Sequence, residues 1–166
     1  MQLSTPSSDS RPLFPAPLSL PLRMIPSFVH DRAMVAALNR VFSNELKEGE
    51  LNFLRGRTVR IAIEDAGIEY AFTLTGDRLE PADSRRTPDL LLNGSVYDYL
   101  LLASRREDAD TLFFNRHLQI QGDTELGLYV KNFLDSMDLD SNSLPLYLQG
   151  LIQKSLPWYE RFFKAG

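Results

Sequence analysis

The chain contains no cysteine, which excludes a disulfide framework, a thiolate zinc site and a cysteine nucleophile. It also lacks a long uncharged stretch. The longest run free of Asp, Glu, Lys and Arg is Ser141 to Gln153, well short of the ~20 apolar residues that cross a bilayer as a helix. Excess positive charge is missing too: 18 Lys and Arg stand against 22 Asp and Glu, for a net charge of −4. Neutralising phosphates takes a concentrated basic surface, so nucleic acid is not an expected partner. With only His30 and His117, no His-Glu-x-x-His zinc helix can be written. No Gly-x-Gly occurs, which removes the dinucleotide fingerprint. The single phosphate-loop candidate, Gly122 to Gly127, is followed by Leu128 and Tyr129 where Lys and Ser or Thr would hold phosphate and magnesium. No cofactor and no metal are expected.

What is present is an ordinary globular composition, 166 residues with 43% hydrophobic and 24% charged, enough for one domain with a core of its own. Pro6, Pro12, Pro15, Pro17, Pro21 and Pro26 crowd the start and mark residues 1–30 as a proline-rich arm, since each breaks helical bonding around it. The apolar patch Leu18, Leu20 and Leu22 is broken by these prolines and follows no basic region, so secretion is not expected. The arm reads either as a solvated leader or as an extended apolar segment that packs on the domain or a partner.

Residues 31–140 alternate between two periods. Met34, Val35, Leu38, Val41, Phe42 and Leu46 form a helical stripe, with Asp31 as its N-cap and Gly49 as its end. Val59, Ile61 and Ile63 alternate with polar or small residues, Asp65-Ala66-Gly67 turns the chain, and Ile68, Tyr70, Phe72 and Leu74 alternate again, which predicts a hairpin of half-buried strands. A short strand near Leu79 and another over Leu90–Leu92 follow. Ser95 and Asp98 have capping-box spacing ahead of the apolar run Val96–Ala103. Arg105–Asp110 reads as a charged loop. The alternation of Phe114, Arg116, Leu118 and Ile120 predicts a last strand ending at Gly122. Asp123 or Thr124 then caps a helix whose face is Leu126, Tyr129, Val130, Phe133 and Met137.

Residues 141–166 form a C-terminal amphipathic helix with aromatic and basic character. Leu148, Leu151, Ile152, Trp158, Arg161, Phe162, Phe163 and Lys164 are candidates for a membrane interface, where rings sit at head-group depth and cations meet anionic lipid. Packing of the same residues on the domain is the alternative, and Pro157 is expected to kink the helix or start a new turn. His117 with Asp123 nearby invites a general-base reading, against which stands an ordinary half-exposed histidine on a strand's polar side. The pairs Arg85-Arg86 and Arg105-Arg106 read as solvated surface among acidic neighbours rather than as anion sites. No catalytic residue is assigned.

The segment Leu112-Phe-Phe-Asn-Arg-His-Leu-Gln-Ile-Gln-Gly-Asp-Thr-Glu-Leu-Gly-Leu-Tyr-Val-Lys-Asn132 resembles the sterol-carrier-type lipid-binding domain. Within it, Gly49-Glu-Leu-Asn-Phe-Leu-Arg-Gly-Arg57 and Asp108-Ala-Asp-Thr111 are similar to stretches of the bacterial accessory factors of oxygen-independent, anaerobic ubiquinone biosynthesis. The domain resemblance covers about Asp31 to Asp138. It implies an α+β sandwich: a five-stranded, mostly antiparallel sheet covered by helices, with an apolar cavity between them and no catalysis. It implies binding or presentation of isoprenoid quinone intermediates, or of a phospholipid such as phosphatidic acid, at the membrane surface. The partners it implies are the iron-sulfur hydroxylases of the same pathway, at the cytoplasmic face of the inner membrane. An isoprenoid tail is held in the bilayer by ~0.8 kcal/mol per buried CH₂, so a soluble hydroxylase needs an apolar intermediary. The inward faces Val59, Ile61, Ile63, Tyr70, Phe72, Leu118, Ile120, Tyr129 and Phe133 are then the expected cavity lining, and periodicity alone leaves a solid core open. Two rivals stand beside this reading: a protein-docking scaffold without ligand, and a small hydrolase or isomerase built on His117.

Overall fold

The first helix, α1, begins earlier than its apolar stripe suggests. In this computed structural model, which describes residues 12–15, 24, 26–137 and 146–163, α1 spans Ser27–Val41 behind Pro26. Asp31 is therefore not a cap but sits inside the helix, where burial pushes its carboxyl up and the neighbouring His30 opposes the shift. The helix breaks at Phe42, and a short α2, Ser43–Glu48, closes on Gly49 in the left-handed conformation, φ 76°, where only glycine is free of Cβ strain. A 3-10 turn, Asn52–Leu54, follows and buries Leu54.

Strand β1 (Val59–Ile63) and β2 (Ile68–Thr75) form the expected hairpin, with Val59 opposite Phe72 and Ile61 opposite Tyr70. Strand β3 (Arg78–Pro81) folds back along β2, and β4 (Leu90–Gly94) lies parallel to β1 on its other side. With β5 (Gln119–Gly122) antiparallel to β4, the sheet order is β3-β2-β1-β4-β5. One parallel pair among four makes the sheet mostly antiparallel, so the architecture is the α+β layering expected from the sequence.

Between β4 and β5 the chain departs from its alternation. Helix α3 (Val96–Ala103) starts at the full capping box of Ser95 and Asp98. The charged stretch is a loop as far as Asp108, whose side chain accepts the Thr111 N–H at 2.7 Å and starts helix α4, Ala109–Phe114, so that Ala109 and Asp110 are helical. Phe114 thus ends a helix and is 87% exposed, and Arg116 turns the chain at φ 59°. Neither belongs to the strand, which starts only at Gln119. A local capping bond outcompeted a period-2 pattern that the apolar spacing produced by coincidence.

Helix α5 (Thr124–Ser136) is capped by Asp123, whose Oδ1 accepts the Leu126 N–H at 3.0 Å. It lies close on the sheet because residue 127 is glycine: a Cβ there would stand 2.9 Å from Ile120 Cγ2 and 3.5 Å from Leu90 Cδ1. Helix α1 runs along β3 and β2, and α5 packs on β5 and the 3-10 turn. The final helix, α6 (Leu146–Phe163), passes through Pro157 and packs on α3. The main core gathers the sheet face, α1 and α5, while Leu101, Leu112, Leu118 and Leu156 form a second cluster that ties in α6.

Candidate lipid-binding cavity

Alternation puts Val59 and Ile61 of β1, Phe72 of β2, Leu79 of β3 and Leu92 of β4 on one sheet face, where they floor a cavity of about 150 Å³. Leu38 and Phe42 from the first helix, Leu51, Phe53 and Leu54 around the 3-10 turn, and Val130, Phe133 and Leu134 from α5 roof it. The only polar atom among these side chains is the Tyr99 hydroxyl. It lies 3.1 Å from the Leu92 carbonyl and 3.3 Å from that of Ala62, to which it donates, so it offers the cavity no free donor. Burial, with Asp98 and Glu64 adding negative charge, raises the Tyr99 pKa and keeps the phenol neutral.

Four of the nine expected lining residues meet here: Val59, Ile61, Phe72 and Phe133. Ile63 and Tyr70 share the sheet face but lie beyond the cavity, Tyr70 under α1 with its ring 6.4 Å from His30. Leu118 and Ile120 line a separate open groove of about 550 Å³ between β5 and α5, with Arg116, Leu128 and Lys131 at its sides. Tyr129 is 49% exposed, because it stands at the edge of the α5 stripe while Val130 points to the core. The lining residues outside that expectation are Leu79 and Leu92, from the two strands read as short, and a larger set from helices and a turn. Leu38 and Phe42 were in the helical stripe, but Phe53 sits in a segment without periodicity.

Three aromatic rings close one side of the cavity. Phe133 packs edge-on to Phe42 at 5.4 Å and tilted to Phe53 at 6.2 Å, and the outer face of Phe53 is stacked on Tyr129 at 5.7 Å. Beyond Phe53 is an open depression of about 280 Å³, bounded by Phe53, Arg57, Asp123, Glu125, Leu126 and Tyr129. Arg57 Nη1 lies 3.5 Å from both Asp89 Oδ1 and Asp123 Oδ2. Phe53 is a wall of both spaces.

The other candidates disperse. Asp123, weighed as a partner for His117 and as a helix cap, caps α5 and faces Arg57. Arg106 pairs with Glu160 at 3.7 Å, and the Arg86 carbonyl accepts from Arg60. Among the described residues no cluster of metal-ligating side chains occurs, and no helix is long and apolar enough to cross a membrane. Of the membrane-interface candidates, Trp158 is 59% exposed and Arg161 is exposed. The side chains of Leu148, Leu151, Ile152, Phe162 and Phe163, and all of Lys164, lie outside the described residues. Between them, Leu156 and Tyr159 are buried against the domain, at 0% and 5% exposure. The inner side of this helix is therefore core.

Known proteins are similar to this chain in sequence and in fold. The profile of the SCP-2 sterol transfer family matches residues 35–135. The ubiquinone biosynthesis accessory factor UbiT of Escherichia coli K12 is 36% identical over 154 residues, which cover 93% of this chain and 87% of UbiT. A solved structure described as the UbiJ-SCP2 ubiquinone synthesis protein superposes with a TM-score of 0.52 at 13% identity, covering 64% of this chain and 94% of that one. At that identity the likeness speaks for the fold, and it agrees with the layering built above from the residues. The chain is a member of the SCP-2 sterol transfer family and a homologue of the accessory factor UbiT.

Proposed function

We propose that this protein is a non-catalytic accessory factor of ubiquinone biosynthesis that binds the apolar part of a polyprenylated intermediate and presents its ring to the enzymes that modify it. The observation that carries this reading is the apolar cavity roofed by α1 and α5, in which no side chain offers a free polar group. Such a space favours hydrocarbon and penalises any group that must leave its hydrogen bonds in water. Its homology to UbiT supplies the pathway. The oxygen-independent branch of that pathway, its iron-sulfur hydroxylases as partners and a place at the cytoplasmic face of the inner membrane belong to the same proposal. A phospholipid, phosphatidic acid among them, is the alternative ligand.

Size favours presentation over carriage. A dry cavity of about 150 Å³ accommodates roughly one benzene ring, and this cavity has about that volume. A long polyprenyl chain exceeds it many times over, so most of the tail stays in the bilayer while the protein holds the part near the ring. The exposed Trp158 and Arg161 on α6 suit a protein that works at that surface.

The test is extraction of the purified protein with organic solvent and identification of bound lipid by mass spectrometry against a mock purification. A stoichiometric isoprenoid or phospholipid is expected and names the ligand. A protein that stays clean after exposure to membranes would overturn the reading in favour of a ligand-free scaffold, for which Phe114, 87% exposed, and the open groove between β5 and α5 are the available docking features.

A further inference from the structure

Phe53 separates two spaces of opposite character. Inside it the cavity is apolar; outside it the depression carries Arg57 with Asp123 and Glu125. The ring is half-buried and belongs to a short 3-10 turn rather than to a long element. What holds it is the stack on Tyr129, itself half exposed, and the tilted contact with Phe133. A ring on a short turn, one of whose two ring contacts is to an exposed partner, can swing aside without unfolding a helix or strand. If it does, the two spaces become one, apolar at the inner end and polar at the outer.

The charge of the outer end selects the head. Among the described residues Arg57 is the one cation bounding the depression, and both Asp89 and Asp123 already face it at 3.5 Å. Glu125 adds a further carboxylate at the rim. The two aspartates are fixed by structure, since Asp89 Oδ2 accepts the Thr58 N–H at 2.7 Å and Asp123 caps α5. An incoming phosphate or carboxylate would meet the Asp123 and Glu125 carboxylates beside a guanidinium that Asp89 and Asp123 already face, whereas a hydroxyl or carbonyl finds both acceptors and a donor.

Resting on the lipid-binding reading above, we propose that Phe53 is a gate between cavity and depression, and that its ligand is an amphiphile with an uncharged, hydrogen-bonding head at Arg57 and the adjoining hydrocarbon inside. Phenols and quinols with a prenyl chain fit that description, and anionic lipids do not.

The test compares two probes with the same tail, 2-farnesylphenol and farnesyl phosphate, by calorimetry and stopped-flow binding. The full chain is expected to bind the phenol at least about tenfold more tightly, because like charges oppose the phosphate. Glu125→Lys is expected to narrow that preference. Tyr129→Ala removes the outer stack at an exposed position and is expected to speed association of the phenol by about tenfold, as binding that waits on a conformational change is slowed by it. Phe53→Leu, which keeps an apolar wall, is expected to do the same. Equal or tighter binding of farnesyl phosphate overturns the choice of head. Unchanged association rates in both gate variants overturn the gate, and either result leaves lipid binding intact. Failure of both probes to bind any variant overturns the lipid-binding reading itself, and this one with it.

Discussion

The Asn39 side chain grips the backbone of Leu79 from both sides: its Nδ2 donates to the Leu79 carbonyl at 2.8 Å and its Oδ1 accepts the Leu79 N–H at 2.8 Å. The strand β3 lies at one edge of the sheet, where unpaired backbone groups invite strand pairing with another chain. One helical side chain thus does the work of a sixth strand, and it fixes α1, whose Leu38 roofs the cavity. Asn39→Ala is expected to destabilise the domain by about 2 kcal/mol, roughly 1 kcal/mol per lost bond. Urea unfolding measures this. A change below the experimental error would show that water replaces the amide at no loss.

The last helix is expected to respond differently on its two sides. On the inner side, Leu156 is fully buried among Leu101, Leu112 and Leu118, the Tyr97 and Tyr159 rings stack at 6.0 Å, and Tyr97 donates its hydroxyl to Glu160 at 2.9 Å. Leu156→Ala is expected to cost about 3 kcal/mol through transfer and cavity terms. Trp158→Ser, at a position 59% exposed, is expected to change stability by less than about 0.5 kcal/mol while weakening sedimentation with anionic vesicles. Equal stability losses in the two variants would contradict this division of the helix.

Acid should expose the cap of α4. The Thr111 backbone and hydroxyl both donate to the Asp108 carboxylate and lower its pKa below the ordinary 3.8. A lowered folded-state pKa means that the unfolded chain takes up the proton first, so the cap's contribution is present above 3.8 and is lost as pH falls through the folded value. The stability difference between the wild type and Asp108→Ala is therefore expected to be largest near neutrality and to shrink in acid. Denaturant titrations of both proteins across that range check it; a difference independent of pH would assign the effect to helix propensity instead.

These cases also show how far the sequence was legible. The β1–β2 hairpin could be read because Val59 to Leu74 alternate strictly around Asp65-Ala66-Gly67, and turn chemistry and burial demanded the same thing. The caps at Ser95 and Asp123 were legible because capping is local. The failures came where a local bond and a longer pattern disagreed, as at Asp108, or where depth mattered rather than face. Periodicity put Tyr129 and Val130 on one stripe, but only packing against the 3-10 turn decides that Val130 is 9% exposed and Tyr129 49%. For the same reason Phe53 could not be found: it has no period, and its place depends on α5 lying close to the sheet at Gly127. Asn39 lies outside the apolar stripe of its helix, and the strand edge that it serves is 40 residues away.

Alkali should report on the cavity itself. The Tyr99 phenol lines it, and burial, reinforced by Asp98 and Glu64, raises its pKa above the ordinary 10.0. The folded state then keeps a proton that the unfolded chain releases. The contribution is full below 10.0 and is lost as pH rises toward the folded value, at up to about 1.4 kcal/mol per pH unit for one such group. Tyr159 is raised in the same direction by burial and by Asp65, so Tyr99→Phe is expected to make the alkaline loss shallower without abolishing it. At neutral pH the same variant loses the hydroxyl's bonds to the Leu92 and Ala62 carbonyls and is expected to be less stable by about 1 kcal/mol. The two unfolding curves should therefore converge as pH rises past the ordinary tyrosine value. A phenylalanine variant that follows the wild-type alkaline profile would mean that Tyr99 reaches water in the native state and that the cavity is open at its floor.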